Sequence, residues 1–151
     1  MTLVRKPAFL LVAVLVIFTL ATQPAAAKDE QQRTGVPSIV GHGFEAYAKG
    51  GRQAAAKRWA EEDGPLTPET LLGLLQKVED VCGPYKSWNL IAIKEFSPST
   101  KAVYGVVNYR RAPVFVHFMC YQTESGWVVT TMVLNTDPAQ VLPAGLLAVN
   151  R

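Results

Sequence analysis

Between Trp88 and Asn135 four runs rich in β-branched and aromatic residues alternate with three short gaps of turn chemistry. The runs are Trp88–Phe96, Ala102–Tyr109, Val114–Gln122 and Trp127–Asn135. The gaps are Ser97-Pro98-Ser99-Thr100, Arg110-Arg111-Ala112-Pro113 and Thr123-Glu124-Ser125-Gly126. Gaps this short leave each run its immediate predecessor as a pairing partner, which predicts a meander of antiparallel hairpins.

Ahead of the strands, two stretches carry helical spacing. Phe44, Ala48, Gly51, Ala55 and Trp59 recur every three or four residues, but Gly50-Gly51 interrupts the segment, so a kinked helix or two short ones are expected. The second stretch has Thr67 at the N-cap, Pro68 at the first helical position and Glu69 where the helix dipole favours an anion. Its predicted buried stripe is Leu71, Leu74, Leu75, Val78 and Val81, with Gln76, Lys77, Glu79 and Asp80 facing water, and Gly83-Pro84 ends it. The sum is an α+β domain with N-terminal helices packed on a curved four-stranded antiparallel sheet.

The N-terminus reads as a targeting segment. Arg5-Lys6, the apolar run from Ala8 to Ala21 and Ala25-Ala26-Ala27 are the three parts of a secretory signal peptide, with cleavage expected after Ala27. The run is about 14 residues where a membrane span needs about 20, so a tethered accessory protein is the alternative only if the segment persists. Residues 28–40 are expected as a flexible leader, 41–143 as one domain and 144–151 as a tail. The mature chain is expected to be exported, periplasmic or secreted. Removing Arg5 and Lys6 lowers the formal charge from +3 to +1, which argues against nucleic acid or anionic membrane as the main partner.

Cys82 and Cys120 are the two cysteines, and in an exported chain a disulfide between them is expected, with two buried thiols as the alternative. Two cysteines and the two distant histidines His42 and His117 do not make a metal site. No cofactor-binding motif is found, and the serines lack a nucleophile-elbow context.

If Tyr109 pairs with Val114 and Gln122 with Trp127, the sheet has two listable faces. One carries Val103, Gly105, Val107, Val116, Phe118, Cys120, Val129, Thr131 and Val133; the other carries Tyr104, Val106, Asn108, Phe115, His117, Met119, Tyr121, Val128, Thr130, Met132 and Leu134. The first suits the helices, because Gly105 permits close approach. The second, aromatic and methionine-rich, predicts a contact surface of Trp127, Tyr121, Phe115, His117 and Met119, with a homodimer as the first expectation and cover by tail and leader as the other.

Helices followed by a curved antiparallel sheet resemble the cystatin-like, nuclear transport factor 2-like superfamily. The resemblance runs from Gly41 to Pro143 through Phe44-Glu45-Ala46-Tyr47, Cys82-Gly83-Pro84-Tyr85, Gly126-Trp127 and Leu134-Asn135-Thr136-Asp137-Pro138, which are similar to segments of small exported bacterial members. It implies a non-enzymatic module binding a partner protein or a small apolar ligand. Enzymes of the superfamily, such as ketosteroid isomerase and scytalone dehydratase, imply an alternative: a pocket between helices and sheet using Tyr47, Tyr85 or His117. No catalytic residue carries over, since strands two to four hold no carboxylate.

Overall fold

A computed structural model describes residues 35–60 and 65–148. The expected signal peptide and most of the leader lie outside the described residues. The elements are α1 (Ser38–Trp59), α2 (Pro68–Cys82), β1 (Tyr85–Ser97), β2 (Thr100–Tyr109), β3 (Pro113–Thr123), β4 (Gly126–Asn135), a 3-10 turn (Pro138–Gln140) and a one-turn helix α3 (Ala144–Leu147).

α1 begins three residues before the expected domain boundary at 41, and Ile39 and Val40 are already buried. It does not run straight. Gly51 sits at φ 70° and ψ −168°, a region essentially reserved for glycine, and the helix breaks there. Residues 43 and 59 of a straight helix would stand about 24 Å apart at 1.5 Å per residue. Here the Trp59 ring lies on Gly43, and Arg58 Nη2 reaches His42 Nδ1 at 3.1 Å, so the two halves fold back on each other. Ala48 and Gly51, expected on the buried stripe, lie exposed at the reversal, while Phe44, Ala55 and Trp59 are buried.

α2 starts as its sequence demands. Thr67 Oγ1 accepts the Thr70 amide at 3.2 Å, Pro68 and Glu69 fill the first turn, and Gly83 ends the helix at φ 83°. The buried stripe is Leu71, Leu75 and Cys82, with Val78 half-buried. Val81, expected in that stripe, is 72% exposed. At 100° per residue it lies about 90° round the helix from the stripe's centre.

The four strands form one antiparallel sheet in the order β1-β2-β3-β4. β1 begins at Tyr85, three residues earlier than its sequence suggested, and β2 pairs with β3 through Val107↔Val114 rather than Tyr109↔Val114. That slip of two residues preserves the faces of both strands. β3 and β4 pair as expected at Gln122↔Trp127, but a β-bulge between Met119 and Cys120 shifts the register, giving Cys120↔Val129 and then Met119↔Thr131. One extra residue exchanges the faces of everything beyond it. Met132 and Leu134 therefore pack against the helix-side core, and Thr131 and Val133 point outward, the reverse of the simple alternation.

The core lies between the helices and the inner sheet face. Phe44 is its centre, stacked on Trp88 at 4.4 Å and edge-on to Trp59 at 4.9 Å and Phe118 at 5.7 Å. Such pairs each add about 0.5–1.5 kcal/mol beyond their burial. A second, smaller cluster sits on the outer face. There Val141 and Leu142 pack on Ala102 and Tyr104, with Phe115, Met119 and Leu146 around them. The chain reaches this position through Asn135 Oδ1, which accepts the Asp137 amide, and Asp137 Oδ1, which caps Ala139. Among the described residues no helix is long and apolar enough to cross a membrane.

Candidate functional site

The volume between helices and sheet, where an enzyme-like pocket was weighed, is filled by Phe44, Trp59, Leu71, Leu75, Val116 and Phe118, each 2% exposed or less. Titratable groups meet at the margin of this core. Tyr47 donates to Glu79 Oε1 at 2.9 Å, and Arg52 Nη1 holds Glu79 Oε2 at 2.6 Å. Tyr109 lies 3.3 Å from the Tyr47 hydroxyl; since the one Tyr47 proton goes to Glu79, Tyr109 is left to donate to the Tyr47 oxygen. Tyr85 covers the group, stacked on Tyr47 at 4.3 Å.

Burial, with the Glu79 carboxylate that takes its proton, raises the Tyr47 phenol above its ordinary value of 10. Burial likewise pushes Tyr109 up to about 12. Both stay protonated at neutral pH. Both oxygens of Glu79 are engaged, so the arrangement ties α1, α2 and β2 together. Sequence spacing placed Glu79 in water. No local signal could reveal Tyr47, which comes from 32 residues away.

The outer face gathers four of the five expected contact residues. Tyr121 is 47% exposed; Phe115, His117 and Met119 are half-buried. His117 stacks on Tyr104 with ring centroids 4.7 Å apart, and its buried Nε2 has no hydrogen-bond partner among the described residues. Burial lowers its pKa from the ordinary 6.5, favouring the neutral ring. Trp127 is elsewhere. It packs against the helix-side core, with the Lys101 ammonium 5.6 Å from its ring centroid. His117 is thus separated by the sheet from Tyr47 and Tyr85, and the three side chains weighed for acid–base chemistry do not converge.

Cys82 and Cys120 both lie in the helix-side core as free thiols, so the expected disulfide is not formed. Burial pushes the Cys120 thiol up to about 12, which leaves it unreactive. Among the described residues no group of three or more His, Cys, Asp or Glu side chains is placed to hold a metal.

Neither a protein-family model nor a curated protein matches the chain. Among solved structures it is similar to a domain of unknown function with a cystatin-like fold from Nostoc punctiforme PCC 73102. The TM-score is 0.50 at 8% sequence identity, covering 71% of this chain and 78% of that one. The fold is cystatin-like. An NTF-2 like protein of unknown function from Silicibacter pomeroyi DSS-3 is also similar, with a TM-score of 0.48 and 8% identity over 74% of this chain and 98% of that one. Cystatin-like architecture supplies a scaffold and no chemistry.

Proposed function

We propose that the chain is an exported, non-enzymatic interaction module that self-associates through the outer face of its sheet. The observation that carries this is the composition of that face. From Ala102, Tyr104, Val106 and Asn108 on β2, through Pro113, Phe115, His117, Met119 and Tyr121 on β3, to Val128, Thr131, Val133 and Asn135 on β4, no side chain carries a full charge; β1, at the sheet's edge, adds Lys94 opposite Ala102. Depletion of charge with enrichment in aromatics and methionine is the signature of an interface centre. The tail covers part of it, at Ala102, Tyr104, Phe115 and Met119, while Tyr121 and Val133 remain 47% and 38% exposed. A second copy of the same charge-poor surface is a partner of matching chemistry, and isologous pairing is the commonest closed arrangement. Trp127 does not belong to this surface, and Met119, half-buried under the tail, is a poor probe of it.

The test is the solution mass of the Tyr121→Glu variant against the parent chain, by sedimentation. Parent dimer and variant monomer support the proposal; a parent chain that is already monomeric removes it.

A further inference from the structure

The tail beyond β4 is held to the outer face of the sheet by side chains alone. Val141 and Leu142, each 8% exposed, seat on Ala102 and Tyr104, with Phe115, Met119 and Leu146 around them. Among the described residues, every hydrogen bond of 139–148 stays within 137–148. The Ala139 amide donates to Asp137 Oδ1, Gln140 to the Asp137 carbonyl, Val141 and Leu142 to the Pro138 carbonyl, Leu146 to Pro143 and Ala148 to Ala144. The tail can therefore lift as a unit about Thr136-Asp137 without breaking a bond of the sheet.

His117 lies among the residues of that seat. Its neighbours on the outer face are Phe115 and Met119 along β3, with Tyr104 and Val133 across the flanking strands. Three of these four, Tyr104, Phe115 and Met119, are the ones the tail packs against. The imidazole stacks on Tyr104 at 4.7 Å, and its buried Nε2 has no hydrogen-bond partner among the described residues. A buried nitrogen with nothing to bond is costly, and more so when it carries a proton and a charge. We propose that the tail is a releasable strap governed by His117, seated while the imidazole is neutral and lifted from the sheet when the ring becomes an imidazolium.

The groups around the ring offer that charge no counter-ion. β2 brings the Tyr104 phenol, β3 the Tyr121 phenol further along, and β1 the Lys94 ammonium opposite Ala102. Glu95 on β1 is taken by Lys101 at 3.2 Å. β4 contributes Thr131 and Val133, neither of them titratable. In the tail, 138–148 hold no ionisable side chain, and Asp137 Oδ1 is committed to the Ala139 amide. The seated state thus resists protonation, in keeping with the lowered pKa of His117. Lifting the strap uncovers Tyr104, Phe115 and Met119 and lets water reach the ring, so protonation and release favour each other by linkage. Release does not require self-association, because the seat is complete within one chain.

The experiment is an NMR titration of the methyl-labelled full chain from pH 7.5 to pH 5. The Val141, Leu142 and Leu146 methyl signals should move towards random-coil positions with the midpoint of the His117 ring, below the ordinary 6.5, while Val103, Val116 and Val129 of the main core stay in place. In His117→Phe the tail signals should remain seated at pH 5; if that variant does not fold, His117→Gln carries the same expectation. Leu142→Ser weakens the seat without touching the main core and should raise the His117 midpoint by about half a unit towards 6.5. Tyr121→Glu, titrated alongside, separates strap release from dimer dissociation. Release in both chains supports the proposal, whereas movement in the parent alone is dissociation and overturns it. Tail signals that ignore the His117 titration, move together with the core, or still release in the His117 variant overturn it too. An unchanged His117 midpoint in Leu142→Ser does the same.

Discussion

The Trp59 indole lies directly on the backbone of Gly43, so close that a methyl group at position 43 would collide with the ring. Trp59 also touches Phe44, Tyr47 and Phe118, so the ring cannot retreat without disturbing the core. Gly43→Ala should therefore destabilise the fold by about 2 kcal/mol or more, at the upper end of overpacking penalties. Gly73→Ala, on the exposed side of α2 with open space around it, should be neutral or stabilising. Urea midpoints of the two variants, measured side by side, check the contrast.

Tyr47 and Glu79 should prove energetically coupled. Tyr47→Phe removes the donor to Glu79 and leaves Tyr109 without its acceptor, a loss of about 1.5–3 kcal/mol for a bond to a charged group. Glu79→Gln removes the charge that holds Arg52. In a double-mutant cycle the combined variant should lose less than the sum of the two single losses. Strict additivity would mean that the hydroxyl and carboxylate do not act together.

Stability should fall as the solution is acidified through the ordinary histidine range, and His117 should account for part of the fall. Its folded pKa lies below the ordinary 6.5, so on acidification the unfolded chain takes up this proton first. The contribution is fully present above 6.5 and is lost as pH drops towards the folded value. His117→Phe keeps a ring against Tyr104 and removes the titration. Unfolding free energies at pH 7.5 and pH 5 should differ more for the parent than for the variant; equal differences would show that His117 is not the group responsible.

Cys82 and Cys120 should resist alkylation in the folded chain and react fully on denaturation without reductant. Both are buried, and the Cys120 thiol is held protonated well above neutral pH. Intact mass after iodoacetamide treatment in urea reads the result directly. A denatured chain that gains no label and weighs two hydrogens less would instead establish the bridge.

What was legible in the sequence was what local signals encode. The four strands, the capped start of α2 and the break at Gly50-Gly51 are each announced by residues within one turn or hairpin. Inner and outer faces of β2 and β3 followed too, because the register error there was an even number of residues. The second half of β4 was not legible: the bulge beside Met119 turns on how two strands meet, and nothing in the order of Thr130, Thr131 and Met132 marks it. For the same reason simple alternation turns Met132 and Leu134 outward. Trp127 lies before the bulge, and alternation from Val129 already places it on the helix side, so its place among the outer contact residues had no support in the strand pattern. The tail's seat on Tyr104 was equally hidden, since Val141 and Leu142 carry no periodicity of their own.

The folded-back α1 bears on time as well as shape. Its two halves meet through residues 16 apart, and every strand pairs with its neighbour in the chain, so no long loop must close before the first contacts reward it. Such a chain is expected to fold fast for its size. The exceptions include the Phe44–Phe118 and Trp59–Phe118 contacts, which need the helices and the third strand together. For that docking the N-terminal half must wait until most of the sheet exists.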